Sequence, residues 1–413
     1  MKDYRVLLYL FISWIVAFLI NEKYVPYRTI RRCKWPKLDH EDNASQQQRQ
    51  QHHQTNILLI ADPQLIDNHT YPGRNPYLLS LSQHTVDQHL KRNYNQLTRL
   101  NANATIFLGD LLDNGRASTD EYFANEVARF RSIFPKHPQM YTNLAGNHDI
   151  GFGDLIRTDI RDRFGETFGN PNLQTSIDGV EFILVDSTSL SSSKDQINQA
   201  SRGFINQLPK KSMPRILLSH VPLFRDPNTN CGSLREKPKF ESLGSGYQYQ
   251  NSLTKDISNL IFEKVEPDLI FSGDDHDYCD IVHHPQETRE ITVKSMSMAM
   301  GVYYPAVQLL SYSKLPEGLK YLTKICYMQT PYINVVIYIV LAIISIVIIL
   351  YQNIRLKTGN SSWTILPLSR LKREEKSKMG TGGWRKQMCL DVVKECLAMA
   401  MVVIFVYKYF IAL

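Results

Sequence analysis

Short apolar runs that end abruptly in polar residues constrain the fold of this chain more than any other feature of its 413 residues. The runs lie between residues 56 and 276 and read NILLIADPQ, ATIFLGD, MYTNLAGNHD, EFILVDS, RILLSHVPL and PDLIFSGDDH. Their apolar residues are mostly consecutive, without alternation, which is the pattern of strands buried on both faces of a sheet. Helical periodicity between the runs, as in residues 119–134 and 196–209, predicts an α/β layered sandwich.

The residues that follow these runs form a set of potential metal ligands. In open α/β sheets ligands gather at the carboxyl ends of the strands, where every polar cluster of this chain falls. The set consists of Asp62, Gln64, Asp110, Asn147, His148, His220, Asp274 and His276. Oxygen and imidazole donors without a thiolate suit Mn²⁺, Fe²⁺, Mg²⁺ or Zn²⁺, and the set is too large for one ion. Two ions about 4 Å apart need a bridging ligand, and we predict that Asp110 is that bridge.

The order of these motifs resembles that of a known enzyme family. The chain reads D-x-Q, G-D-x-x-D-x-G-R, G-N-H-D, a lone His after a strand, and G-D-x-H. From residue 56 to residue 310 this resembles the calcineurin-like metallophosphoesterases, whose usual pattern is D-x-H, G-D, G-N-H-D/E, H and G-H-x-H. Gln64 and Asp274 replace two of the usual histidines. Together with SMSMAMGVYYPAVQLLSY at 295–312, they resemble the branch that contains the fungal cell-division-control phosphoesterase. That branch is related to the mammalian phosphoesterase that removes ethanolamine phosphate from glycosylphosphatidylinositol (GPI) anchors.

The resemblance implies a role for each site residue. The first metal would be held by Asp62, Gln64, Asp110 and His276. The second would be held by Asp110, Asn147, His220 and Asp274. His148 would protonate the leaving oxygen or stabilise the phosphoryl oxygens, and Asp149 would fix the tautomer of His148. An amide and a carboxylate in place of two imidazoles make the ligand set harder, which favours Mn²⁺ or Mg²⁺ over Zn²⁺.

Several residues near these ligands are interpreted either as supporting the site or as having no role in it. We expect Asp113 to orient a ligand without binding metal itself, and Arg116 is either a phosphate contact or a surface arginine. Asp275 and Asp277 are expected to be solvated or to lie behind the ligands. His283 and His284 are expected on the surface. The turn-rich segment 226–252 is predicted to be a lid or recognition loop.

Apolar segments at both ends of the chain predict membrane anchoring. Residues 1–21 are predicted to be an uncleaved anchor, with a cleaved signal peptide as the alternative. Residues 332–351 are twenty residues without a charge, which is enough for a spanning helix. Residues 396–413 form a third predicted span, although they contain Lys408.

The segments between the anchors and the domain are predicted from composition. We expect a basic, then Gln-rich linker at 22–55, the phosphoesterase domain at 56–312, and a connector at 313–331. Residues 352–395 carry ten Lys or Arg against four Asp or Glu and are predicted to be a cytosolic loop. Residues 22–37 are also basic, and these two stretches account for the net charge of +7. Neither has the interleaved aromatics of a nucleic-acid surface, so we expect no nucleic-acid partner.

The basic loop sets the expected topology, because positive charge favours the cytosolic side. Three spans then place the domain in the lumen of the endoplasmic reticulum, although the basic residues after the first span favour the opposite. Sequons at Asn43, Asn68 and Asn103 agree with a lumenal domain. Cys231 and Cys279 either pair in that oxidising compartment or stay as two thiols.

The expected function follows from the site and from the resemblance. We expect a membrane-anchored, two-metal phosphodiesterase that acts on the GPI lipid or on GPI-anchored proteins. One alternative is a hydrolase of another lipid-linked or soluble phosphodiester. A second alternative is a non-catalytic adaptor for GPI-anchored cargo, in which the replacements at Gln64 and Asp274 mark a decayed site.

Overall fold

The computed structural model describes residues 4–38, 54–237, 240, 245–246, 248–316, 318–358 and 381–408. The chain divides into two compact units. The smaller unit comprises Met1–Pro26 with Pro331–Leu413, and the larger one is Tyr27–Thr330.

The strands of the larger unit lie where the apolar runs predict them, with several additions. Numbered along the chain they are β1 (Thr55–Ile60), β2 (Ala104–Phe107), β3 (Met140–Tyr141), β4 (Leu173–Ile177), β5 (Val180–Val185), β6 (Arg215–Ser219), β7 (Ser245–Gly246), β8 (Tyr249–Gln250), β9 (Leu269–Ser272), β10 (Cys279–His283), β11 (Thr288–Thr292), β12 (Ala306–Leu315) and β13 (Gly318–Tyr327).

These strands form two mixed sheets and a small hairpin. The first sheet has the order β13–β12–β1–β2–β3 and the second has the order β10–β11–β9–β6–β5–β4, while β7 pairs with β8. In the first sheet β1, β2 and β3 are parallel, and in the second β5, β6, β9 and β11 are parallel. The other pairings are antiparallel.

The described residues also form eleven α-helices. Numbered along the whole chain they are α1 (Tyr4–Phe18), α2 (Val25–Arg31), α3 (Pro76–Leu97), α4 (Asp120–Ile133), α5 (Asn147–Ile150), α6 (Thr158–Phe168), α7 (Ser187–Leu190), α8 (Asp195–Asn206), α9 (Lys255–Val265), α10 (Pro331–Thr358) and α11 (Thr381–Val406). A π-helical segment, Leu19–Tyr24, joins α1 to α2. Short 3-10 turns occur at Thr98–Leu100, Gly115–Ala117 and Gly153–Leu155.

Three apolar cores hold the layers together. The central core lies between the sheets and includes Leu59 of β1 and Leu218 of β6. A second core joins the first sheet to α3 and α4, and a third joins the second sheet to α8 and α9. Alternate side chains of one strand enter different cores, as Leu59 and Leu58 do, because successive residues of a strand point to opposite faces. This confirms the predicted α/β layered fold.

The boundaries predicted on both sides of the domain need correction. Residues 313–331, expected to be a connector, contain the end of β12 and all of β13, which pair in register from Ala306↔Tyr327 to Leu315↔Gly318. The linker expected from residue 22 begins as helix, because the N-terminal helix continues to Arg31. The basic loop expected from residue 352 is shorter, since α10 continues to Thr358 and α11 begins at Thr381.

The smaller unit is built from apolar helices. Trp14 and Phe18 of α1 pack against residues of α10, such as Leu341, and of α11, such as Val403. The indole nitrogen of Trp14 donates to Ser345 Oγ at 3.2 Å. Two helices in the described part of the chain are long and apolar enough to cross a membrane, Arg5–Arg31 and Pro331–Ile354. The predicted span 396–413 is not one of these two, and its last five residues lie outside the described residues.

Candidate active site

His220 lies at the centre of a cluster of predicted ligands that come from both sheets. Its Nε2 atom lies 3.3 Å from Asn147 Oδ1, 3.4 Å from Asp110 Oδ1 and 3.5 Å from Asp274 Oδ1. Asp110 and Asn147 follow strands of the first sheet, whereas His220 and Asp274 follow strands of the second. The structure therefore brings together the four residues expected at the second metal.

A hydrogen bond to the backbone fixes the tautomer of His220. Its Nδ1 lies 2.7 Å from the carbonyl oxygen of Leu108, so Nδ1–H donates and Nε2 carries the lone pair. This arrangement is typical of metal-ligating histidines, whose second nitrogen donates to an oxygen. Burial lowers the pKa of His220, but Asp110, Asp274 and Asp62 outweigh burial and raise that pKa well above its usual range. That shift holds for the protein without metal, because bound cations would compete with the proton for Nε2.

Three buried oxygen atoms in this region fit a cation. Asp62 Oδ2, Gln64 Oε1 and Asp274 Oδ2 have no hydrogen-bond partner among the described residues, although buried polar atoms are normally satisfied. Gln64 Nε2 donates to Asp113 Oδ1 at 2.7 Å, which leaves Oε1 as the free end of the amide. Asp62, Asp110 and His220 each offer a donor atom within 4.8 Å of the others. The residues present therefore fit divalent metal ions.

Crowding of carboxylates points to the same conclusion. Burial raises the pKa of Asp62 well above its usual range, and the charges of Asp110 and Asp274 raise it further. Burial likewise raises the pKa of Asp274, with Asp110 adding to the effect. Bound cations would offset this repulsion, since an opposite charge stabilises the ionised carboxylate. Burial lowers the pKa of His276 to about 4, so its ring is neutral and able to bind a metal.

The backbone at five of the predicted ligands is left-handed, a signal that sequence reasoning did not use. The φ angles are 46° at Asp62, 25° at Gln64, 50° at Asp110, 65° at Asp274 and 64° at His276. Such conformations are disfavoured for residues with a side chain and concentrate at functional sites. They turn each ligand sharply out of the strand that precedes it.

Two glycines of the motifs are required by close approach to these ligands. A Cβ at Gly109 would lie 2.4 Å from His220 Nδ1, and φ at this position is +92°. A Cβ at Gly146 would lie 2.1 Å from Asp110 Oδ1. Contacts this short exclude any larger residue, which explains the glycines of G-D and G-N-H-D.

His148 is oriented by Asp113. Its Nδ1 lies 2.6 Å from the carbonyl oxygen of Asp113, 3.4 Å from Asp113 Oδ1 and 3.0 Å from Gln64 Nε2. Burial lowers the pKa of His148, but Asp110 and Asp113 outweigh it and raise that pKa to about 9 in the absence of metal. With Nδ1 engaged, Nε2 is the ring nitrogen left for a substrate.

The role expected for Asp149 is wrong. Its carboxylate accepts from the backbone nitrogens of Leu111 at 3.1 Å, Leu112 at 2.9 Å and Gly146 at 2.9 Å. These bonds tie the turn after β2 to the start of α5, because one carboxylate can satisfy several N–H groups. Asp149 therefore shapes the backbone that carries Asp110, and Asp113 orients His148.

The segment 226–252 reaches the metal ligands through one residue that sequence reasoning missed. The carbonyl oxygen of Gln248 accepts from Asn147 Nδ2 at 3.1 Å and from Arg116 Nη1 at 3.5 Å. Arg116 also donates to the carbonyl oxygen of Asn147 at 3.2 Å, so this half-buried side chain is engaged inside the protein. Gln248 thereby fixes the Asn147 amide with Oδ1 towards His220. No motif in the sequence marks Gln248.

The acidic residues of FSGDDHDYC divide into ligands and anchors. Asp275 forms a two-pronged ion pair with Arg235, and Asp277 Oδ2 accepts from the backbone nitrogens of Glu236 and Lys237 at 2.8 Å. Asp277 also lies 3.3 Å from Lys294 Nζ. Both side chains are buried, so of the two expected alternatives the solvated one is excluded, and they lie behind the ligands. They hold residues 235–237 against the loop that carries Asp274 and His276.

Two further expectations are settled near this loop. His283 is buried and lies 2.6 Å from Glu290 Oε2, so its predicted surface position is wrong, whereas His284 is exposed. Cys231 and Cys279 form a disulfide, and Cys33 pairs with Cys326, a pairing that sequence reasoning did not raise.

Comparison with known proteins identifies the family. The chain matches the family described as calcineurin-like phosphoesterase over residues 55–278. It is 35% identical to Cell division control protein 1 of Saccharomyces cerevisiae over 383 residues, which cover 87% of this chain and 76% of that protein. It is 26% identical to Metallophosphoesterase 1 of Danio rerio, covering 78% of this chain and 89% of that protein. A solved dimetal phosphatase from Danio rerio superposes with a TM-score of 0.39 at 13% identity, covering 67% of this chain and 99% of that chain. The chain therefore belongs to the calcineurin-like phosphoesterase family, in the branch of those first two relatives, and is a metal-dependent phosphoesterase.

Proposed function

We propose that this protein is a phosphodiesterase of the endoplasmic reticulum membrane that removes an ethanolamine phosphate branch from the GPI glycan. The observation that carries the reaction is the cluster around His220, where donors from both sheets lie within 3.5 Å of one nitrogen. The substrate follows from the resemblance to the branch identified above. A membrane-tethered site would meet a lipid-linked substrate at high effective concentration.

The ligand set would hold two divalent ions, for which we propose Mn²⁺. Asp62, Gln64, Asp110 and His276 would hold one of them, and Asp110, Asn147, His220 and Asp274 the other. Bound there, the ions would activate water and offset the negative charge of the phosphoryl oxygens. Asp110 would be the shared ligand, because its Oδ1 lies 3.4 Å from His220 Nε2 and its carbonyl oxygen accepts from the backbone nitrogen of Gln64 at 2.9 Å, which places it beside ligands of both ions.

His148 would supply the proton that the leaving group requires. Removal of the branch breaks the bond between phosphorus and the sugar oxygen, and that oxygen must take up a proton. The carbonyl oxygen of Asp113 engages Nδ1 of His148, so Nε2–H is the proton donor. A pKa raised to about 9 keeps His148 protonated at neutral pH in the absence of metal.

Several observations support a lumenal domain in a membrane protein. The two disulfides suit an oxidising compartment, since such bonds are rare in the cytosol. The helices Arg5–Arg31 and Pro331–Ile354 are long enough to anchor the domain. Asn68 of the N-H-T sequon is exposed, and glycosidase sensitivity of the full chain would report lumenal placement. Asn103 is less accessible, because its Oδ1 accepts from the backbone nitrogen of Asn56 at 2.9 Å.

The test is hydrolysis of GPI intermediates by the purified full chain with Mn²⁺. We expect release of ethanolamine phosphate, and we expect Asp110→Ala to abolish it while Lys210→Gln, at an exposed position, does not. Equal activity of Asp110→Ala would contradict the mechanism. Turnover of soluble phosphodiesters but not of GPI would indicate another substrate. A protein that binds no metal and keeps its cellular function after His148→Ala would indicate the adaptor.

A further inference from the structure

We propose that a basic cavity at residues 33–38 and 99–100 binds the anionic phosphodiester of a phospholipid headgroup. The cavity has a volume of about 660 Å³ and lies within the larger unit. Its lining includes Lys34, Lys37, Arg99, Trp35, Leu38 and Leu100. The proposal rests on the proposed function in one respect only, which is that the substrate is linked to a lipid.

The charges of the residues that line the cavity indicate which class of ligand it binds. Lys34, Lys37 and Arg99 all line this one cavity, and among the described residues none of them forms an ion pair with a carboxylate. Three like charges that line one cavity, with no carboxylate partner among the described residues, create a positive potential that favours an anion. The guanidinium of Arg99 can bind phosphate oxygens in pairs, and the two ammonium groups add point charges.

The apolar part of the wall is fixed in place. The indole nitrogen of Trp35 donates to the carbonyl oxygen of Leu100 at 2.8 Å. The side-chain amide of Gln54 joins this wall from the other side, because it accepts from Leu38 N at 3.2 Å and donates to Pro36 O at 3.2 Å. A cavity lined by both cationic and apolar side chains, with Trp35 and Gln54 held by hydrogen bonds, suits an amphipathic headgroup.

The chain connects this cavity directly to both candidate membrane spans. Lys37 lies six residues after Arg31, where the first span ends, so at most about 20 Å of chain separates them. The disulfide between Cys33 and Cys326 adds a second link, because Pro331 begins the other span five residues after Cys326. A helix of 27 residues is about 10 Å longer than a hydrocarbon core of about 30 Å. Its basic last turn, with Arg28 and Arg31, therefore suits the headgroup layer.

This assignment accounts for a conflict in the charge pattern. The basic residues of 22–37 oppose a lumenal domain by the positive-inside rule, which is a statistical bias. Cations that bind a lipid phosphodiester have a reason to lie on the lumenal side. Asn56 of the cavity lies at the amino-terminal end of β1 and Asp62 follows its carboxyl end, so a substrate that is held at the cavity and cleaved at the metal ligands would span about 20 Å.

The test uses the full chain in nanodiscs of phosphatidylcholine with phosphatidylinositol as the probe. Native mass spectrometry counts the phosphatidylinositol that the released protein retains. We expect the combined variant Lys34→Gln, Lys37→Gln and Arg99→Gln to retain about tenfold less than the wild type. The combined control Arg202→Gln, Lys210→Gln and Lys255→Gln makes the same change in charge at exposed positions and should retain the wild-type amount. A Mn²⁺-dependent rise in unfolding temperature checks that both variants remain folded.

Two outcomes would overturn the proposal. Equal retention by the cavity variant and the control would show that the cavity does not bind the headgroup. Displacement of phosphatidylinositol by inorganic phosphate at an equal concentration would show that the cavity takes a free anion. Retention of phosphatidylinositol is measured without turnover, so its outcome does not depend on whether the protein hydrolyses GPI. Normal retention in a protein that does not hydrolyse GPI would contradict the proposed function alone.

Discussion

The Nδ1 atom of His148 lies 2.6 Å from the carbonyl oxygen of Asp113, a residue thirty-five positions earlier in the chain. The carboxylate of Asp113 is held in turn by Thr70 Oγ at 2.6 Å and Gln64 Nε2 at 2.7 Å. Asp113 thus contacts the expected proton donor through its backbone carbonyl oxygen, with its carboxylate Oδ1 3.4 Å away, and contacts the expected metal ligand Gln64 through the carboxylate. Burial raises the pKa of Asp113, but its bonds to His148, Thr70 and Gln64 outweigh burial and lower that pKa.

We expect Asp113→Ala to lower kcat by about 10-fold, because Gln64 loses its acceptor and His148 loses the carboxylate 3.4 Å from Nδ1 while it keeps its bond to the carbonyl oxygen. Asp113 raises the pKa of His148, so its removal should move the alkaline loss of activity to lower pH. Steady-state kinetics across pH would measure both effects, with His148→Ala as the reference for complete loss of the proton donor. Asp113→Asn keeps a hydrogen-bond acceptor and should be intermediate. A variant with lower kcat and an unshifted pH profile would contradict the link to His148.

The sequence predicts which polar side chains gather at this site because most of them lie within a few residues of the end of a strand. Local apolar runs locate β1, β2, β6 and β9, and the polar residue after each run is the one that enters the site. The runs do not show that the strands belong to two sheets. Asp110 and His220 lie 3.4 Å apart only because the carboxyl ends of both sheets meet.

The misassigned residues share a different property, which is that their partners are distant in sequence or are backbone atoms. Asp149 follows His148 directly, and adjacency suggests contact, yet its partners are backbone nitrogens near residue 111. His283 lies in a polar stretch, and only the pairing of β10 with β11 buries it against Glu290. Gln248 acts through its carbonyl oxygen, which every residue has. Side-chain patterns carry no information about such contacts.

We expect Asp149→Ala to lower the free energy of unfolding by about 3 kcal/mol or more, because three buried N–H groups lose their acceptor. Asp149→Asn retains one acceptor oxygen and should be destabilised less. Thermal unfolding of the metal-free full chain measures the effect, and His148→Ala serves as the neighbouring control. If Asp149→Ala kept its stability and lost only activity, a direct chemical role for Asp149 would be required.

We expect Gln248→Val to weaken Mn²⁺ binding about tenfold, whereas Gln248→Gly should bind Mn²⁺ as the wild type does. The φ angle of Gln248 is 56°, which glycine adopts freely and a β-branched residue strongly disfavours. Both variants remove the same side chain, so their difference isolates the position of the carbonyl oxygen that orients Asn147. Calorimetric titration with Mn²⁺ measures the affinity directly. Equal affinities in the two variants would show that the loop does not support the metal ligands.

We expect His89 to make the protein less stable in mild acid. His89 is buried in α3, with Nε2 at 3.3 Å from the carbonyl oxygen of Gln329. Burial, with a contribution from Arg92, lowers the pKa of His89 from 6.5 to about 4. The unfolded chain therefore takes up a proton below about pH 6.5, and the folded protein does so only near pH 4. Stability is lost as the pH falls through this window, by about 2 kcal/mol between about pH 7 and about pH 5.

The variant His89→Gln should remove this loss, because an amide can still donate to Gln329 and does not titrate in this range. Unfolding of the full chain at several pH values measures it, with Mn²⁺ held constant. His284→Gln is the matched control, since the side chain of His284 is 70% exposed and its replacement removes a histidine that folding does not bury. If His89→Gln kept the wild-type dependence on pH, the acid sensitivity would have to arise at the metal ligands. In that case saturating Mn²⁺ would suppress the loss of stability in acid. Mn²⁺ would have no such effect on a loss of stability that arises from the burial of His89.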